Sequence, residues 1–235
     1  MLFIHRWFTK RKPSPKSPLL LFDYDGVIAD SFEVYFAEFT RACSELGFEH
    51  INSREDFLRL FDGNLVAQLV KTGFPLRKLR SLAETFAPQI EAANARVKPF
   101  PGMVETLRQL SASHPTLIIT ANASDTVRRF LDAHGLSGVR GVLGSDSETS
   151  KVKKIRTARR MFRGHHAHYM GDTKGDMIEA RRAGAVPVGV GWGWHDIERL
   201  RTGRPTHIVE SQQALLALFQ NASPRHNAAT PGREA

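Results

Sequence analysis

The sequence predicts a doubly wound α/β fold: a parallel sheet with helices on both faces and an all-helical lobe inserted after the first strand. Three observations carry this. From residue 98 onward, short apolar runs alternate with stretches whose apolar residues recur every three or four positions. That order builds parallel strands joined by right-handed helical crossovers. Several of the runs end in polar, ligand-type residues, and open α/β sheets bind ligands at the carboxyl ends of their strands. Between residues 31 and 97 the pattern is helical, with no strand signal.

The first strand is Leu19-Leu20-Leu21-Phe22. Four consecutive apolar residues fit a strand buried on both faces. It runs into Asp23-Tyr24-Asp25-Gly26-Val27. Strand alternation points Asp23 and Asp25 to the same side. Two like charges so close repel, and a buried pair is costly unless something positive lies between them. A hard cation with oxygen ligands meets that need, and magnesium suits a site with few carboxylates and a phosphate. Gly26 permits a sharp turn and a close ligand approach. On these residues alone, a polar turn at a strand end is an equally good reading.

In the insert, Phe32, Tyr35, Phe36, Phe39, Cys43 and Leu46 share one helical face, and Gly47 stops the helix. Ser53, with Glu55 and Asp56 behind it, starts a second helix. After the turn Asp62-Gly63-Asn64, two more helices carry Leu65, Leu69 and Val70, then Leu79, Leu82, Phe86 and Ile90. Pro88 is expected to bend or interrupt the last. Such a lobe is either a lid that excludes water from a site or a purely structural bundle. Cys43 lies on the apolar face and reads as core.

Lys98-Pro99-Phe100-Pro101-Gly102 is a stiff re-entry linker, followed by a helix from Met103 to Leu110. The second strand, Thr116-Leu117-Ile118-Ile119, ends at Thr120-Ala121-Asn122. The helix opening at Ser124 supplies free backbone N–H groups suited to a phosphate. Val142-Leu143 is a short third strand. After the polar loop Ser145–Ser150 come Lys151, Lys153 and Lys154 on a helix through Ile155 and Met161. A lysine here could balance carboxylates and hold a phosphoryl oxygen, although spacing alone favours a solvated helix face for each. Ala167-His168-Tyr169-Met170 is the fourth strand, capped by Gly171-Asp172-Thr173-Lys174-Gly175-Asp176, a second acidic pair at a strand end. His165, His166 and His168 have no further ligand nearby in sequence and read as strand or surface histidines. A fifth strand over 185–190, the loop Gly191-Trp192-Gly193-Trp194 at the site mouth, a last strand over 206–209 and a closing helix over 212–219 complete the pattern.

The 235 residues suffice for one large domain with a smaller insert. Hydrophobic content of 41% and charged content of 24% are those of an ordinary globular protein, and no apolar run is long enough to span a bilayer. The lone cysteine cannot form an internal disulfide, which favours a reducing compartment and a cytoplasmic location. The net charge of +9 sits partly in the tails. Expected divisions are a basic, flexible tail over 1–18, a core from 19–30 and 98–219, a helical cap over 31–97, and a disordered tail over 220–235. The basic tail is a candidate for membrane, partner or nucleic-acid contact, or a solvated leader.

With all the strand ends in view, the chain resembles the haloacid dehalogenase-like hydrolases, and within them the phosphoglycolate phosphatase-like group with a helical cap. Four motifs stand in that family's order: Asp23-Tyr24-Asp25-Gly26-Val27, Thr120-Ala121-Asn122, a lysine at Lys151, and Gly171-Asp172-Thr173-Lys174-Gly175-Asp176. The resemblance covers roughly residues 19 to 219. It implies that Asp23 is the nucleophile and forms an aspartyl-phosphate, and that Asp25 is the general acid and base. It implies that Thr120, with the amide of Ala121 or Asn122, binds a phosphoryl oxygen, and that Lys151 pairs with the nucleophile and the transferred group. Magnesium would be held by Asp23, the backbone carbonyl of Asp25 and Asp172, with Asp176 in support. An acid at Asp25 points to phosphoryl transfer, because the family's dehalogenases lack one there. The third motif lacks the prolines that many relatives carry after the lysine, so Lys154 is an alternative to Lys151. The implied activity is hydrolysis of a small phosphomonoester by a monomer or homodimer. A sugar phosphomutase and a non-catalytic binding module using the basic tail are the other readings.

Overall fold

The computed structural model describes residues 17–94 and 96–220. The basic leader before Ser17 and the tail after Gln220 lie outside the described residues. Along the chain, β1 (Leu19–Phe22) and a two-residue β2 (Ala29–Asp30) lead into the helices α1 (Phe32–Glu45), α2 (Arg54–Arg59), α3 (Leu65–Lys71) and α4 (Leu79–Asn94). Then follow β3 (Lys98–Pro99), α5 (Met103–Ser113), β4 (Thr116–Ile119), α6 (Ser124–Ala133), β5 (Val142–Leu143) and α7 (Lys151–Met161). The chain ends through β6 (Ala167–Gly171), α8 (Lys174–Ala183), β7 (Val186–Val190), α9 (Ile197–Thr202), β8 (His207–Val209) and α10 (Gln212–Gln220).

Six strands form one parallel sheet in the order β5-β4-β1-β6-β7-β8. The apolar run of β1 is buried on both faces, as its composition requires. Leu20 and Phe22 join the core under α5, α6 and α10. Leu19 and Leu21 join the core under α7 and α8. β1 sits at the sheet's centre, between β4 and β6, so whatever follows it lies between the ends of those two strands.

The helices of the insert pack on a core of their own around Phe39, Cys43, Phe57, Leu60 and Phe74. Ser53 caps α2 by accepting from Asp56 N, as its sequence predicts. Burial pushes the Cys43 thiol up to about 11, which fits a core residue. Pro88 does not interrupt α4, which runs unbroken from Leu79 to Asn94. Packing of Leu82 and Ile90 on either side of it offsets the lost hydrogen bond. Lys98-Pro99, expected as a linker, pairs antiparallel with Ala29–Asp30 to form a two-stranded ribbon at the base of the insert. Two-residue strands carry no periodicity to read. Helix α9 also escaped the sequence pattern; Asp196 caps it by accepting from Arg199 N at 2.7 Å.

The insert is also fastened to the core by contacts other than the ribbon. Arg199 Nε and Nη2 donate to Asp62 Oδ1 and Oδ2 at 2.8 and 2.9 Å, and Nη1 reaches Glu55. The bidentate geometry makes this a strong surface pair. His195 is buried between Lys174 N, which donates to Nδ1 at 3.0 Å, and Leu58 O, which accepts from Nε2 at 3.0 Å. Those two partners select the neutral tautomer with its proton on Nε2. At Gly175 a Cβ would lie 2.8 Å from the Phe61 carbonyl oxygen, so glycine lets the insert backbone rest on α8. Among the described residues no helix is long and apolar enough to cross a membrane.

Candidate active site

β1 ends at Phe22, so Asp23 and Asp25 sit on a loop and not on the strand itself. Strand alternation therefore does not set their directions; a tight turn does. Gly26 N donates to Ala29 O, and Ile28 N and Ala29 N both donate to Tyr24 O. Gly26 has φ of +71°, and a Cβ there would fall 1.9 Å from Asp172 Oδ2. Glycine is required on both counts. The turn sets Asp23 beside Asp172 and Asp176, which come from the end of β6 and the first turn of α8.

Oxygens of Asp23, Asp172 and Asp176 lie within 4.8 Å of one another, and all three residues are buried. Lys151 Nζ donates to Asp23 Oδ2 at 2.6 Å and to Asp176 Oδ1 at 2.7 Å. One ammonium thus faces three carboxylates, and the remaining repulsion shows in their proton affinities. Burial, with Asp176 and Asp23 as negative neighbours, pushes the Asp172 carboxyl well above the usual range. Burial lifts Asp23 to about 6, against the pull of Lys151. Asp176 is held below its ordinary value: Lys151 and Thr173 outweigh the burial that acts to raise it. Burial acts to lower Lys151, but Asp176 and Asp23 hold it well above the usual lysine range. All-oxygen donors with uncompensated negative charge fit a hard dication. Among the described residues this is the one group of such residues arranged to hold a metal, and the histidines 165, 166 and 168 are not part of it.

Asp176 also builds its own helix start. Its carboxylate accepts from Thr173 N, and Thr173 Oγ1 accepts from Asp176 N, a capping box at the head of α8.

The two candidate lysines part company here. Lys151, at the first position of α7, points to Asp23, whereas Lys154 is buried and its ammonium donates to the Thr120 carbonyl oxygen. Burial, with Lys151 nearby, pushes Lys154 down to about 8.

Asp25 is held apart from the metal-type cluster. Asn122 Nδ2 donates to its Oδ2 at 2.8 Å. The Tyr35 hydroxyl, from α1 of the insert, lies 2.7 Å from Asn122 Oδ1 and 3.1 Å from Asp25 Oδ2. Asp25 Oδ1 is buried and makes no well-formed hydrogen bond, although the Ser31 hydroxyl is close enough to act on the carboxyl. Burial and the neighbouring Asp23 raise the Asp25 carboxyl to about 7. Thr120, fully buried at the end of β4, accepts from Asn122 N at 3.0 Å and keeps its own proton to donate. The Asn122 amide is thereby already engaged, while Ala121 is exposed.

Sequence reasoning missed three contributors. Tyr35 reads as one more aromatic on an apolar helix face. The Asn122 side chain, expected to offer its backbone amide, instead grips Asp25. Trp194 reads as a loop residue at the mouth; its N donates to Asp172 Oδ2 at 2.8 Å, and its ring packs 5.6 Å from Tyr35 and 4.8 Å from Phe61. A polar tip on an apolar stripe was the one available signal for Tyr35.

A family model described as haloacid dehalogenase-like hydrolase matches residues 20–190. The chain is 24% identical over 201 residues to a phosphoglycolate phosphatase of Synechococcus elongatus, covering 84% of this chain and 94% of that protein. It is likewise 24% identical over 227 residues to a 5'-nucleotidase of Pseudomonas aeruginosa, covering 90% and 99%. Among solved structures, a hydrolase from Pseudomonas syringae superposes with a TM-score of 0.73 at 22% identity, over 87% of this chain and 99% of that one. The fold of that structure and a family match across most of the sheet agree with four motifs gathered at one strand edge. The chain belongs to the haloacid dehalogenase-like hydrolase family and is a hydrolase of that family.

Proposed function

We propose that the protein is a magnesium-dependent phosphatase that hydrolyses a small phosphomonoester through an aspartyl-phosphate. The observation that carries this is the division of labour between two carboxylates on one turn. Asp23 is held by Lys151 within the three-carboxylate group, while Asp25 is held outside it by Asn122 and Tyr35 with one oxygen making no well-formed hydrogen bond. Asp23 attacks phosphorus, and the bond from phosphorus to the leaving oxygen breaks. Asp25 gives its proton to that oxygen, then takes one from the water that attacks the phospho-aspartate and frees phosphate. A carboxyl near 7 is suited to both transfers. Lys151 and the Thr120 hydroxyl stabilise charge on the phosphoryl oxygens in this reading. Asp23, Asp172 and the backbone carbonyl of Asp25, with Asp176 in support, would hold the magnesium ion. When bound it would neutralise the carboxylates and the developing negative charge.

The test is phosphate release from 2-phosphoglycolate, sugar phosphates and nucleoside 5'-monophosphates, with magnesium and with chelator. Release that requires magnesium is the expected result, and the ranking across the panel narrows the substrate. No release from any of them sinks the proposal.

Tyr35→Phe keeps the ring and removes only the hydroxyl. It is expected to lower kcat roughly 10-fold on an alkyl phosphate, the size of one hydrogen bond to a charged group. On 4-nitrophenyl phosphate, whose leaving group needs no proton, the rate of the first step, read as the burst of 4-nitrophenol, should hardly change, whereas the second step is common to both substrates. Equal losses in the first step on both substrates would show that Tyr35 does not act through the acid role of Asp25.

A further inference from the structure

The first and last helices of the insert each place a polar side chain on the same core atom. Tyr35, in the first turn of α1, sets its hydroxyl 2.7 Å from Asn122 Oδ1. Asn94, the last residue of α4, donates from Nδ2 to that same Oδ1 at 3.3 Å. Asn94 and Asn122 are only 9% and 6% exposed. The mechanism above gives Tyr35 and Asn122 a task and leaves Asn94 without one.

An asparagine at a helix end has a plain structural explanation, because that residue is well tolerated there. The backbone of Asn94 does help to close α4, its carbonyl oxygen accepting from Val97 N at 3.1 Å. The side chain takes no part in this. Among the described residues its one hydrogen bond goes to Asn122, and its own Oδ1 is buried with no partner. A buried oxygen without a donor costs stability, and leucine would fill about the same volume without that cost. Helix ending and packing therefore do not call for an amide at this position.

Counting protons around Asp25 shows what does. Asn122 Nδ2 donates to Asp25 Oδ2 at 2.8 Å, which turns Asn122 Oδ1 away from the carboxylate as an acceptor. Two acceptors, Asn122 Oδ1 and Asp25 Oδ2, then face the Tyr35 hydroxyl at 2.7 and 3.1 Å, and a hydroxyl has one proton to give. If that proton turns to Asp25, Asn122 Oδ1 needs another donor or is left bare in a buried seam. Asn94 Nδ2 is that donor. With it, Asn122 is held at both ends of its amide, and the Tyr35 proton can follow the charge on Asp25.

We propose that Asn94 is a positioning residue for the acid–base carboxylate: by covering Asn122 Oδ1 it frees the Tyr35 hydroxyl to serve Asp25 as that group gives up its proton. The inference rests on the phosphatase reading above. It also makes Asn94 a residue kept for activity at a cost in stability.

The experiment is a single turnover, with enzyme in excess, of the best alkyl phosphate of the panel above and of 4-nitrophenyl phosphate. Wild type, Asn94→Leu, Asn122→Leu and the double variant are compared, with thermal unfolding of each. Asn94→Leu should release the alcohol about fivefold more slowly, the size of one neutral hydrogen bond. Release of 4-nitrophenol, which needs no proton, should hardly change. In the Asn122→Leu background the same substitution should have no further effect, because Asn94 acts through Asn122. The unfolding temperature of Asn94→Leu should equal or exceed that of wild type, since a buried unpaired oxygen is gone. Asn94→Ala, which cannot clash, gives the same kinetic comparison if leucine does not fit the seam. An unchanged rate on the alkyl phosphate, an equal loss on both substrates, or a loss that persists in the Asn122→Leu background overturns the proposal and leaves the phosphatase reading standing. Failure of wild type to turn over any alkyl phosphate removes that reading and this proposal with it.

Discussion

Asp23→Asn is expected to lower phosphate release at least about 10³-fold, because an amide cannot attack phosphorus to form the acyl-phosphate. The fold should survive. Asp23 contributes one of three buried negative charges facing a single lysine, and Lys151 keeps its 2.7 Å partner in Asp176. Neutralising one carboxylate of a mutually repelling set removes repulsion as well as one ion pair, so the unfolding temperature should stay close to that of wild type. Phosphate release and thermal unfolding on the same preparation check both halves. A well-folded Asp23→Asn protein with substantial turnover would remove Asp23 from the nucleophile's role.

Lys151→Ala and Lys154→Ala should separate just as sharply, in opposite directions. Lys151 touches Asp23 and Asp176 and is proposed to steady the phosphoryl oxygens, so its loss should reduce kcat about 100-fold or more. Lys154 touches no carboxylate in the site. Its stem is packed in the interior and its ammonium donates to the carbonyl at the end of β4. Truncating it leaves a cavity and an unpaired carbonyl oxygen, with an expected cost of about 2 kcal/mol in stability and a smaller loss of activity. Chemical denaturation alongside steady-state kinetics gives the two numbers for each variant. Equal, mild effects would mean that neither lysine is the one that steadies the transferred group.

The cap's attachment bears on both experiments. The Arg199–Asp62 pair, His195 and the β2–β3 ribbon all tie the insert to the core. Tyr35 reaches Asp25 from α1 of the insert, so the carboxylate proposed as acid and base is linked to the insert through one hydroxyl. That link explains why Tyr35 lies on a helix face whose other members are plain core.

The sequence by itself determined the six parallel strands, their order along the chain and the polar residues that follow them, but not the β2–β3 ribbon or α9. Apolar runs such as Leu19–Phe22 can only be satisfied by burial on both faces, and helical periodicity fills the gaps between them, so parallel topology follows from local chemistry. It also determined the place of the insert, because sixty-odd residues without strand character cannot enter such a sheet. What tertiary structure decided was which side chain meets which. Lys151 and Lys154 are three residues apart on one helix and equivalent in composition, and only the docking of α7 against β4 and α8 sends one to Asp23 and the other to the Thr120 carbonyl. The turn at Gly26, rather than strand alternation, brings Asp23 to Asp172. Tyr35 and Asn122 are 87 residues apart and carry no local sign of each other. Local sequence encodes periodicity and turn chemistry, whereas a hydrogen bond between distant segments exists only once both have packed, and for that reason the acid–base environment of Asp25 had to be read from the folded chain.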